Sequence, residues 1–163
     1  MFHHFLVHAA FQSSRWLPRD QRLKFQIVLF MFVVLFLTPQ VYILTRPKSS
    51  RYCEKPLLNN LIAFIVFSVV ATGLAVTLTL TDPVPKSIKA AYHTFGMLSF
   101  TQGLCTIILT FNASQCENTT PELYLFSLVL SWGCIISTAF FLIRGCFWMF
   151  YGKYPNWFRE ACL

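Results

Sequence analysis

The chain has 163 residues, 56% of them hydrophobic and 12% charged, with a formal net charge of +7. A soluble domain carries about 25% charged residues, and one this small cannot hide so much apolar surface. Composition therefore excludes disorder and an ordinary soluble fold and places the chain in a membrane.

Residues 1–24 carry Arg15, Arg19, Arg22 and Lys24 among Phe2, Phe5, Leu6, Phe11 and Trp16. Mixed aromatic and basic residues favour the headgroup level, so this segment is expected to lie on the membrane as a cytoplasmic tail. No small-residue cleavage site follows it, and the first span reads as an uncleaved anchor. His4 and His8 stand one helical turn apart, but no carboxylate or thiolate accompanies them, and no metal site is expected.

Stretches without Asp, Glu, Lys or Arg then define four spans, at about 25–45, 57–81, 90–111 and 123–143. Each reaches the roughly 20 residues that cross a hydrocarbon core about 30 Å thick. Each must be helical, because lipid offers no partner to an open backbone. The first span is built almost wholly of Phe, Leu, Val, Ile and Met, with Pro39 placed to kink its far end. It offers no small face and is expected to pack loosely, in contact with lipid.

The other spans repeat small residues at spacings of three and four: Ser68, Thr72, Ala75 and Thr79; Gly96, Ser99, Gly103 and Thr106; Ser131 and Cys134. Such spacing puts each set on one helix face, where backbones approach closely and hydroxyls bond across the contact. Helices 2, 3 and 4 are therefore expected to form the tight core. Gln102, the strongest polar group at mid-span, is expected to bond a neighbouring helix.

Short loops force neighbouring helices into opposite directions. The sequence thus predicts an all-α membrane protein, a four-transmembrane-helix antiparallel bundle with interfacial amphipathic tails, forming one domain over residues 1–163. The N-terminal segment, Lys86, Lys89, Arg144, Lys153 and Arg159 lie on one side, against Arg46, Lys48, Arg51 and Lys55 on the other. The excess of cations favours both termini in the cytoplasm, with residues 144–163 a second interfacial tail.

Two sequons, at Asn112 and Asn118, fall in the loop assigned outside and are candidate glycosylation sites. Cys53 and Cys116 are the two cysteines in loops on that same oxidising side, and a disulfide between them is expected. Cys146 and Cys162 stand among aromatic and basic residues at the inner face, where palmitoylation is chemically suited. The address expected is an integral membrane of the secretory pathway, endoplasmic reticulum or plasma membrane.

No nucleophile elbow, H-E-x-x-H, C-x-x-C or phosphate-binding glycine loop occurs, so no catalytic residue, metal ligand or cofactor is assigned. The basic residues flank spans and form no separate patch, which argues against nucleic acid as a partner. The opening of the second span (Cys53, Pro56, Leu57), Cys116, the run Leu123-Tyr124-Leu125-Phe126 and Cys146 resemble the small four-span proteins of the transmembrane protein 272 group over residues 25–146. The resemblance implies a four-span fold and the loop disulfide, and no activity. The leading expectation is a non-catalytic accessory or assembly subunit whose partners are membrane lipids and other integral membrane proteins, or its own copies. The alternatives are a self-assembling channel or transporter and a lipid-binding or lipid-handling protein.

Overall fold

A computed structural model describes residues 1–16, 18, 21–46, 56–81 and 84–151. Among them the regular structure is helical: α1 Phe2–Trp16, α2 Arg22–Thr45, α3 Leu57–Leu80, α4 Lys86–Phe111, the short α5 Cys116–Thr119 and α6 Pro121–Tyr151. Four of these, α2, α3, α4 and α6, are long and apolar enough to cross a membrane. Prolines set their starts. Pro56 and Pro85 stand immediately before α3 and α4, and Pro121 is the first residue of α6. Proline lacks the amide hydrogen that the first helical turn leaves unbonded anyway, and its fixed φ suits that turn.

Side-chain hydrogen bonds join neighbouring spans. Gln26, near the start of α2, donates to Thr79 near the end of α3, at 3.4 Å. Asn60, in the first turn of α3, accepts from Gln102 (2.9 Å) and Thr106 (3.2 Å) in the second half of α4. Ser131 of α6 reaches back to the Thr106 carbonyl at 3.5 Å. Its hydroxyl also bonds the Ser127 carbonyl one turn earlier (2.9 Å), the usual refuge of a hydroxyl in a membrane helix.

Two apolar clusters form the core. One gathers Leu57, Leu61, Phe64, Cys116, Leu123, Leu130 and Cys134, and so joins α3 and α6 to the loop around α5. The other gathers Val7, Ala10, Phe11, Ala71, Ala75, Leu78 and Phe95. This second cluster corrects the surface-lying tail expected for residues 1–24. Val7 is 1% exposed and His3 equally so. Helix α1 is inserted among α2, α3, α4 and α6 instead of resting on them.

The physical reason lies in the glycines. A Cβ on Gly96 would come within 3.0 Å of the His4 ring, on Gly103 within 3.1 Å of the Met1 nitrogen, and on Gly133 within 3.3 Å of the Phe2 ring. The small faces of α4 and α6 leave a channel of helix width, and α1 fills it. The inner tail expected from residue 144 also differs, since α6 continues without a break to Tyr151. α2 is the outlying span. Only 11% of its most apolar window is buried, against 33% for α3 and α4.

Candidate functional site

The seat of α1 is where polar chemistry concentrates. The first amide hydrogens of any helix lack intrahelical acceptors, so an N-terminus inserted among apolar helices needs outside partners. Here Ser99 of α4 supplies two. Its hydroxyl accepts from the His4 amide at 3.4 Å, and its carbonyl accepts from the Met1 amino group. On the other side the Phe2 amide bonds the Cys134 sulfur of α6. The Phe2 ring stacks 5.9 Å from Phe64 and lies 5.3 Å from Phe36, so the tip of α1 also touches α3 and α2.

Three histidines follow along α1. The His3 ring lies 4.2 Å from that of Phe64 and 5.8 Å from that of Phe67. Its Nε2 is 3.0 Å from Ser68 Oγ. Ser68 gives its one proton to the Phe64 carbonyl at 2.9 Å, so it accepts from His3. His4 stacks on Tyr92 (4.4 Å) and Phe141 (5.1 Å), and its Nδ1 is buried with no partner among the described residues.

His8 joins three helices. Arg144 of α6 stands 2.8 Å from His8 Nε2, and Tyr92 Oη of α4 stands 2.9 Å from Nδ1. A guanidinium only donates, so Nε2 must accept, Nδ1 must carry the proton, and the imidazole is neutral. Burial is the main influence on all three rings and pushes each below the ordinary imidazole range. The Met1 amino group adds to it at His3, where a hydrogen bond to the Phe64 backbone opposes, and Arg144 adds to it at His8. At His4 the further contributions come from His8, the Met1 amino group and His93.

The small residues singled out in the sequence thus divide between three contacts. Ser68, Gly96, Ser99, Gly103 and Cys134 meet α1. Thr72 and Ala75 line a small apolar cavity of about 30 Å³ with Leu6 and Val7 of α1 and Phe32 and Phe36 of α2. Thr79 meets Gln26, and Thr106 and Ser131 join α4 to α6. Gln102 does bond a neighbouring helix, but its acceptor, Asn60, was not singled out. Its sequence signal was the Asn59-Asn60 pair in the first turn of an otherwise apolar span. Arg144, read as a tail residue, belongs to the seat.

The loop around α5 is described as well. Asn112 and Asn118 are exposed, and the Asn112 amide donates to the Ile108 carbonyl at 2.9 Å. Cys116 is buried at 1% exposure and is not among the free thiols Cys105, Cys134 and Cys146. Cys53 and Cys162 lie outside the described residues. Cys146 is exposed near the end of α6. Among the described residues no three His, Cys, Asp or Glu side chains converge as a metal site would need. No family model, curated protein or solved structure matches the chain.

Proposed function

We propose that the protein is a non-catalytic accessory or assembly subunit, an antiparallel four-span bundle that binds other integral membrane proteins, or its own copies, through helix contact in the bilayer. The observation that carries this reading is the open flank of α2. Ile27, Val28, Phe30, Met31, Val34 and Leu35 are all more than 40% exposed. The helix is apolar all round, and its own bundle engages little of it. The small-residue faces of α3, α4 and α6 are occupied internally, above all by α1; those spans also expose apolar side chains such as Val69, Met97 and Leu125, but α2 is the least buried of the four. Membrane helices associate by van der Waals fit rather than by escape from water, and a broad unengaged face suits that mode.

Site-specific photocrosslinking in native membranes tests the reading. A photoreactive residue at Leu35 should give protein adducts of defined mass, while one at the lipid-facing Leu125 of α6 should give lipid adducts. Lipid adducts alone from both positions would overturn it.

The cation distribution supports cytoplasmic termini in a membrane of the secretory pathway. The α5 loop then faces the oxidising side, where we assign a Cys53–Cys116 disulfide and glycosylation at Asn118, with Asn112 the second acceptor. The burial of Cys116 and the exposure of Asn118 support that assignment. Cys146 and Cys162 would be the palmitoylated thiols at the inner face. The likeness to the transmembrane protein 272 group is part of the same proposal and rests on the residues quoted for it.

A further inference from the structure

The seat of α1 favours neutral histidines, by the hydrogen-bond geometry at His8 and by burial at His3 and His4. His8 Nε2 accepts from Arg144, and a protonated ring would present a second donor, and a second positive charge, at 2.8 Å from that guanidinium. His3, 1% exposed, sits between Phe64 and Phe67 with Ser68 as the side-chain hydroxyl it bonds, so a charge there has little to solvate it. The His4 ring is wedged against Gly96, Tyr92 and Phe141.

The ionisable groups facing these rings come from α1, α4 and α6. They are the Met1 amino group and the neighbouring histidines of α1, Tyr92 and His93 of α4, and Arg144 of α6. α3 contributes Ser68, Phe64 and Phe67, and the contact from α2 at this tip is Phe36. Among the described residues no carboxylate stands with these groups, and the hydrogen bond from His3 to the Phe64 backbone is outweighed by the burial of the ring. Outside its seat the same helix carries three ordinary imidazoles.

We propose that α1 is an acid-releasable element: it is held in the bundle while His3, His4 and His8 are neutral, and protonation of these rings drives it out. The sign follows from linkage. A histidine whose seated form resists protonation favours the seat above the ordinary imidazole pKa of about 6.5, and that preference is lost as pH falls below it. At pH 5.5 each such ring shifts the equilibrium by about tenfold toward the released helix.

The test is hydrogen–deuterium exchange of the full chain in phosphatidylcholine nanodiscs from pH 7.5 to 5.5, corrected for intrinsic exchange. Protection of residues 2–16 should fall by at least about tenfold while peptides of α4 and α6 hold theirs. The His3→Gln/His8→Gln variant, which keeps neutral hydrogen-bonding groups, should lose most of that pH dependence. Unchanged protection of α1 in the parent chain would overturn the proposal, and so would a variant that titrates as steeply as the parent. Should the double variant lack α1 protection already at pH 7.5, the single His8→Gln chain is titrated, and it must show a shallower loss than the parent.

Discussion

Asn60 shows how a single side chain can hold two membrane helices together. Its Oδ1 accepts from Gln102 at 2.9 Å and lies 3.2 Å from the Thr106 hydroxyl, whose one proton is shared between Asn60 and the Gln102 carbonyl at 2.9 Å. The two partners are therefore not equally replaceable. Asn60→Leu strands the Gln102 amide in a medium without water, whereas Gln102→Leu leaves Asn60 with Thr106. Hydrogen bonds between membrane helices are worth about 0.6 kcal/mol on average and up to about 1.7 kcal/mol, and a stranded buried donor costs about 1–3 kcal/mol. Asn60→Leu should accordingly destabilise by about 2 kcal/mol and Gln102→Leu by less than half of that, as read by unfolding in mixed micelles. Equal losses would mean that the network does not hang on Asn60.

At the scale of elements, the fit of α1 depends on what three glycines omit. Gly96→Leu or Gly103→Leu would force a side chain into space held by His4 or by the Met1 backbone. Each should expel α1, raising hydrogen exchange of residues 2–16 by at least tenfold, while Gly73→Leu, where nothing lies within 4 Å, should leave it unchanged. A Gly96→Leu chain with full α1 protection would show that the seat is not set by those contacts.

The spans themselves were legible, because absence of charge over 20 residues is a local property. The expected bounds of 90–111 and 123–143 compare with 86–111 and 121–147 for the membrane-compatible helices. The early starts reflect Pro85 and Pro121, which set the helix ends irrespective of where the charges stop. The insertion of α1 was not legible. Phe5, Phe11, Arg15 and Trp16 write the same pattern whether the apolar face meets lipid or protein, and Trp16 and Arg15 are indeed exposed. The glycine face of α4 announces close approach without naming the partner. The His4–His8 spacing was visible as a shared helix face, but the Arg144 that explains one of them stands 136 residues away.

For the whole molecule, the loop around α5 is the place where covalent chemistry would fasten the bundle. Cys116 packs with Leu57 and Leu123, at the corner where α3 begins and α6 begins. A bond from there to Cys53 would tie the loop between α2 and α3 to the loop between α4 and α6. A native disulfide contributes about 2–4 kcal/mol, so Cys116→Ser should lower unfolding stability by that order. Intact-mass analysis after alkylation without reductant should leave two thiols blocked, and glycosidase should remove mass that Asn118→Gln no longer carries. Both loop cysteines alkylated, and a mass insensitive to glycosidase, would remove these assignments together.

The order in which the parts of the α1 seat are made has a consequence for biosynthesis. α1 is made before its partners, and Ser68, Ser99, Cys134 and Arg144 then follow in turn. Contacts between such distant positions form slowly, because a long loop must close first. The full set of α1 contacts therefore exists only once α6 has been made. Before that point His8 lacks the Arg144 guanidinium that fixes its neutral tautomer, so α1 can be bound by α3 and α4 but not yet locked by α6.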